Sequence, residues 1–340
     1  MNSSNNTAAS NDTTDDIVIG CGYMAITVII ICIYSPCLWV IKKDGELKSH
    51  ACFKMMFHLG IADLCNCVAN FLAGLWSATG WSYTFLPYGL NKIIGAVADG
   101  FGWFFCIALT HLIALNRCIT ICTGTGTDYY KDLFFINKMT KIWIGLCYLY
   151  AFLWFVANMT PWLSFIYIAP VFAYYFDPYT PWAERAKHFG WWNNLILLNL
   201  AFLYYIIIVV WIVVKRSQMS EQGATQREKR ERSILKQACI ICMYTLLLDQ
   251  YWQYAPLLAF KFGFRYAFAV GNTLWILNGI VNPTVYLTMS KTVAGKVKAM
   301  VCGGNEVEPL VSQKSKTHGG TGSIRRASNS PLLVKVESKA

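Results

Sequence analysis

Seven apolar blocks, each long enough to cross hydrocarbon as a helix, constrain this chain more than any other feature. They span residues 17–41, 52–77, 90–122, 139–168, 189–214, 233–260 and 266–289. A helix crosses the roughly 30 Å core of a bilayer in about 20 residues. Inside lipid the backbone must satisfy its own hydrogen bonds, and the alternation of a barrel strand is missing, so each block reads as a helix. The predicted fold is all-α, a seven-transmembrane helix bundle over residues 17–302 that includes a juxtamembrane segment. A polar tail is expected at 1–16 and a disordered cytoplasmic tail at 303–340, which is rich in Gly, Ser and Lys. Of the 340 residues 56% are apolar and only 14% charged, with a mean hydropathy of +0.40. Those values exclude a pair of soluble domains, a collagen-like repeat and a small disulfide scaffold.

Orientation follows from the basic residues next to the helix ends. Lys42, Lys43 and Lys48 follow the first block, and Lys131, Lys138 and Lys141 the third. Lys215, Arg216, Arg227, Lys229, Arg230, Arg232 and Lys236 follow the fifth, and Lys291, Lys296 and Lys298 the seventh. The opposite face holds Arg185, Lys187, Lys261 and Arg265, with Lys92 at its border. The basic-rich face is therefore cytoplasmic and the amino terminus extracellular. The net charge of +11 is explained by topology and contact with anionic lipid, and nucleic acid is not an expected partner. The first tail has no Lys or Arg and offers glycosylation acceptors at Asn2, Asn5 and Asn11. No cleavable signal precedes the first block, which is expected to act as a signal anchor.

Thirteen cysteines sit mostly inside the blocks, where a reduced thiol behaves as a small apolar group. Cys239 and Cys242 have C-x-x-C spacing without a second pair, so no structural metal is expected, and neither is any cofactor. Cys302, behind a short basic amphipathic stretch, is a candidate for palmitoylation. Arg325-Arg326-Ala327 makes Ser328 a candidate for phosphorylation, and 226–232 reads as a mixed-charge helix extension into the cytoplasm. Hydrolase patterns are missing, and enzymatic activity is not expected.

Ionisable groups inside lipid are costly and mark function. Asp63, Asp99, Arg117 and Asp249 stand out. Asp63 lies mid-bilayer. With Asn278 and Asn282 it makes either a polar centre able to hold a small cation or plain interhelical hydrogen-bond glue. Asp99 lies eighteen residues before Arg117, about 27 Å toward the outside. It can contact a ligand, or it can pair with Lys92 two turns further out. The outer half is aromatic, with Trp76, Trp81, Tyr83, Phe85, Tyr88, Phe101, Trp103, Trp191 and Trp192 near helix ends. These rings form interfacial belts or line an apolar pocket, above all beneath the loop at 174–182.

Seven helices with Asp63 in the second, Leu115-Asn116-Arg117-Cys118 ending the third, Pro256 in the sixth and Asn282-Pro283-Thr284-Val285-Tyr286 in the seventh resemble the rhodopsin-like G-protein-coupled receptors. Tyr34-Ser35-Pro36-Cys37-Leu38, His50-Ala51-Cys52-Phe53-Lys54-Met55-Met56, Gln237-Ala238-Cys239-Ile240-Ile241-Cys242, Trp275 and Tyr286-Leu287-Thr288 are similar, more closely, to the nematode serpentine receptors of class T. The resemblance implies a chemosensory receptor of the plasma membrane or of sensory cilia, with a small-molecule ligand and a heterotrimeric G protein as partners. It assigns coupling to Arg117, Asn282, Pro283 and Tyr286, and ligand contact to Asp99, Trp103, Trp252, Tyr254 and Asn272. Four departures stand out. Asn116 replaces the acid before Arg117, Lys236 stands where an acidic partner is expected, and helix five has no proline. The disulfide from helix three to the second outer loop has no cysteine at either end. A transporter or channel using Asp63, Asp99 and Asp249 as a path is the alternative, although no paired halves are visible.

Overall fold

The computed structural model describes residues 3–80, 87–122, 135, 137–218, 226–264, 266–289 and 291–302. The tail beyond Cys302, with Ser328, lies outside them, as do Asn2 and the side chains of Asn5, Asn11 and 215–238.

The seven blocks are seven long helical segments. They are α1 (Ser3–Lys43), α3 (Ala51–Thr79), α4 (Tyr88–Val97) running on through a π-helix (Ala98–Phe104) into α5 (Phe105–Cys122), α6 (Asn137–Met159), α7 (Ala183–Gln218), α8 (Gln226–Phe260) and α9 (Ala267–Met289). Two short helices, α2 (Gly45–Ser49) and α10 (Lys291–Cys302), lie on the basic-rich face. Five of the long segments are apolar and long enough to cross a membrane. The other two, α8 and α9, carry Asp249, Asn272, Asn278 and Asn282, all buried inside the bundle. Outward-facing residues such as Trp39, Leu153, Val213 and Leu247 are exposed, as lipid-facing side chains must be once the bilayer is taken away.

Boundaries differ from the sequence reading at α1 and at the fourth helix. α1 begins at Ser3, ahead of the block at 17–41, and Asp15 on it accepts a hydrogen bond from Tyr266 Oη at 2.8 Å. The fourth helix stops at Met159, where Thr160 and Pro161 break it. The last residues of that block form a strand instead. β1 (Phe165–Ile168) pairs antiparallel with β2 (Ala173–Phe176), with Phe165 opposite Phe176 and Tyr167 opposite Tyr174. A 3-10 turn at Ala169–Val171 closes this hairpin, and Phe172 beside it adopts the left-handed conformation at φ 56°.

Small residues bring the helices close. A Cβ on Gly20 would sit 2.5 Å from the Gly74 carbonyl oxygen, and one on Gly74 would sit 2.6 Å from that of Gly20, so α1 and α3 touch backbone to backbone. Gly100 and Gly102 in the π-helix likewise admit Ala151 and Phe155 of α6 on one side and Asn66 of α3 on the other. A π segment is wider than an α-helix and turns its side chains out of the regular register. On the basic-rich face Asp44 caps α2 through the Leu47 amide, 2.8 Å away, and its other carboxylate oxygen pairs with Lys296 of α10.

Candidate functional site

Beneath the hairpin the bundle holds a partly open cavity of about 110 Å³. The π-helix supplies Asp99, Trp103 and Phe104, the hairpin Phe165 and Tyr174 to Phe176, α7 Lys187, Gly190, Trp191 and Asn194, α8 Asp249, Trp252 and Gln253, and α9 Trp275. Trp275 is the hub. Trp103, Trp252, Tyr174 and Phe165 surround it edge to face, with ring centroids 6.0, 6.4, 6.3 and 6.4 Å away. Rings prefer this geometry because each positive edge meets a negative face.

Two carboxylates border this aromatic box and differ in how they are satisfied. Asp99 Oδ2 accepts hydrogen bonds from the Trp154 indole and from Asn158 Nδ2, both on α6. Asp249 accepts from Asn194 Nδ2 at 2.9 Å through Oδ1, while its buried Oδ2 has no partner. The Trp275 indole N–H is buried without a partner as well. Lys92 does not reach Asp99. Its ammonium donates to the Thr160 carbonyl at 2.6 Å, because the side chain turns toward the loop after α6 rather than down the helix. The internal pair anticipated between Lys92 and Asp99 is therefore not formed.

Hydrogen bonds fix the hairpin over the cavity. Asn91 Nδ2 donates to the Tyr167 carbonyl at 2.9 Å, and the Tyr167 amide donates back to Asn91 Oδ1 at 2.8 Å. Tyr174 Oη donates to the Ala69 carbonyl and Tyr23 Oη to the Phe172 carbonyl, each at 2.8 Å. Ser77 and Tyr167 hydroxyls meet at 2.7 Å. A Cβ on Gly95 would lie 1.9 Å from the Phe165 carbonyl oxygen, so only glycine lets the strand lie this close to α4. All thirteen cysteines are free.

Deeper in the bundle, Asp63 Oδ2 accepts from Tyr34 Oη at 2.9 Å and from Asn282 Nδ2 at 2.7 Å, tying α1, α3 and α9 together. Tyr286, one turn beyond Asn282, packs edge to face on Tyr34, and its buried hydroxyl has no partner. Asn278 stands apart from this cluster and accepts from Thr245 Oγ1 at 3.4 Å. Pro283 lies inside α9, where it lacks the N–H that would bond the preceding turn. At the basic-rich end of α5 the Arg117 guanidinium donates to the Cys52 sulfur at 2.6 Å. Among the described residues no carboxylate pairs with it, in keeping with Asn116 in place of an acid.

Of the ligand-contact candidates, Asp99, Trp103 and Trp252 line the cavity. Tyr254 and Asn272 do not. Tyr254 is 58% exposed, since two residues past Trp252 turn it about 200° around the helix. Asn272 is fully buried and donates to Asn70 Oδ1 at 2.9 Å. Cys302 is exposed at the end of α10. Sequence reasoning did not put Asn194, Gln253 or Asp249 in the pocket. The signal lay in the spacing: Asn194 falls four residues after Gly190, and Asp249 three before Trp252, which places each pair on one helix face.

A family model described as the serpentine type 7TM GPCR chemoreceptor Srt matches residues 2–308. The chain belongs to the Srt family. The crystal structure of squid rhodopsin superposes with a TM-score of 0.70 at 15% identity, over 85% of this chain and 80% of that one. That likeness shows the shared fold. No curated protein matches significantly in sequence. The Srt receptor is thus a multi-pass membrane protein and a G-protein-coupled receptor of the chemosensory kind.

Proposed function

We propose that this receptor takes a small extracellular ligand into the cavity beneath the hairpin and turns its binding into activation of a heterotrimeric G protein at the basic-rich, cytoplasmic face of the plasma membrane. A partly open aromatic cavity lined by a pinned hairpin carries this reading. Its hub, Trp275, lies on the same helix as the signalling motif, and Asn282 follows seven residues later, two turns along nearly the same face. A ligand that shifts Trp275 acts on the Asn282 contact to Asp63 and on the proline-weakened turn at Pro283. Arg117, exchanging its Cys52 contact for the G protein, completes the path.

The transporter alternative needs the carboxylates to form one path. Each is instead engaged by its own partners, Asp63 by Tyr34 and Asn282, Asp99 by Trp154 and Asn158, and Asp249 by Asn194, and Asp63 does not border the cavity.

Cells carrying the receptor and a promiscuous G protein, screened against small volatile and soluble compounds during whole-cell current recording, test the reading. It predicts a second-messenger response without ligand-gated current. An epitope at residue 5 labels on intact cells and one at residue 330 only after permeabilisation. A ligand-dependent current without G-protein signalling, or the reverse labelling, contradicts it.

A further inference from the structure

Asp249 is the least satisfied charged group bordering the cavity. Its Oδ1 takes the Asn194 amide, and its Oδ2 is buried with nothing bonded to it. A buried carboxylate oxygen without a donor is costly, and in folded proteins such groups find a partner in the protein, in ordered water or in a ligand. Asp99, across the same cavity, already holds two N–H donors on one oxygen. The single cation on the cavity wall is Lys187, which sits at its edge near Glu184, 3.9 Å away, and over the Tyr175 ring. Two acids against one lysine that has its own acid leave the interior short of positive charge.

The rest of the wall suits a cation with an apolar body. Trp103, Trp252, Trp275 and Tyr174 present electron-rich rings to the cavity, and indole faces attract ammonium groups more strongly than other aromatic faces do. The space is small. The inner space of about 110 Å³ is below the roughly 150 Å³ that takes benzene in an engineered core, so a body of about six or seven heavy atoms fits with part of it in the open mouth of the cavity.

On the reading that this cavity is the ligand site, we propose that the Srt receptor recognises a compact organic ammonium, with Asp249 Oδ2 accepting its N–H and the tryptophan box covering its hydrocarbon. The assignment falls on helix α8 and on Asp249 rather than on Asp99, whose donors from α6 make it a fixture of the wall.

Cyclohexylamine, cationic at neutral pH, and cyclohexanol, its neutral isostere, are the probes. Purified full-length receptor is titrated with each, following tryptophan fluorescence, since neither probe absorbs where indole does. A charge-assisted hydrogen bond predicts saturable binding of the amine at least about tenfold tighter than of the alcohol. Asp249→Asn removes that preference while the alcohol binds as before, and thermal unfolding reports whether the variant is folded. Should it not fold, the preference in the unaltered receptor and its loss in the occluding variant Gly190→Leu decide the matter. Equal affinity for the two probes overturns the proposal, as does a preference that survives Asp249→Asn, a preference lost only in Asp99→Asn, or failure of the amine to bind folded receptor. The two levels separate cleanly: binding of the alcohol alone, abolished by Gly190→Leu, keeps the cavity as the ligand site and rejects the ammonium. Binding indifferent to Gly190→Leu rejects both.

Discussion

Asn91 and Tyr167 hold each other by two hydrogen bonds, the Asn91 amide to the Tyr167 carbonyl and the Tyr167 amide to the Asn91 oxygen. One planar side chain thereby satisfies both main-chain groups of a strand residue that is itself buried. This clamp joins the start of the third transmembrane segment to the loop hairpin, the connection for which the chain has no disulfide. Asn91→Ala removes both of these hydrogen bonds to Tyr167 and is expected to cost about 2 kcal/mol or more. Thermal unfolding of purified receptor reads the loss. Reducing agent is expected to leave the unaltered receptor's melting temperature in place, because its cysteines are free; a drop on reduction contradicts a hairpin held by hydrogen bonds without a disulfide.

Gly95 and Gly89 make a matched pair on α4. A methyl group at Gly95 meets the Phe165 carbonyl oxygen at 1.9 Å, whereas one at Gly89 meets nothing within 4 Å. Gly95→Ala therefore pushes the hairpin off the bundle and destabilises the receptor by about 1–3 kcal/mol or more. Gly89→Ala gains helix propensity and stabilises by up to about 1 kcal/mol. The same melting experiment compares them, and equal effects would remove close approach as the reason for Gly95.

At Asp63 shape and charge can be separated. Asn presents a carbonyl oxygen to Tyr34 Oη and Asn282 Nδ2, the two donors that Asp63 now holds. Asp63→Asn is thus expected to fold with near-normal stability while losing any sodium dependence of agonist affinity. Asp63→Ala strands two buried donors and costs about 2–4 kcal/mol. Unaltered signalling and sodium response in Asp63→Asn leave the carboxylate a purely structural tie.

The helices and the aromatic outer half were legible in the sequence because length and hydropathy are one-dimensional properties. Phe165-Ile166-Tyr167-Ile168 was misread as helix for a physical reason: a short apolar run looks alike whether it is a buried strand or the end of a span, and only Pro161 hints at the break. Trp103 and Trp252, which the resemblance put at the ligand site, line the cavity. Tyr254 was not excluded, because the rotation of α8 about its own axis depends on what packs against it. Axial distance left open whether Lys92 pairs with Asp99, and the loop after α6, absent from a helix count, gives its ammonium the Thr160 carbonyl instead.

Arg117 contacts the Cys52 sulfur and no acid among the described residues, so its removal strands no buried charge. Arg117→Ala is expected to reach the cell surface at near-normal levels and to lose nucleotide exchange at least about a hundredfold, the scale of a lost charge-assisted contact to a partner. Surface labelling and nucleotide exchange on the same cells measure both. Retained exchange would move the coupling role elsewhere on the cytoplasmic face.

The central claim, that a ligand in the cavity under the hairpin drives G-protein activation, is tested most directly by agonist-stimulated nucleotide exchange in Gly190→Leu. Gly190 borders the cavity, and a Cβ there meets only the Phe104 ring at 3.4 Å, so a leucine extends into free space without displacing backbone. Leucine also favours the helix that glycine weakens. The predicted result is a receptor that is folded and displayed at the surface but has lost agonist-stimulated exchange. Full agonist response in Gly190→Leu, at unchanged potency, would contradict the account.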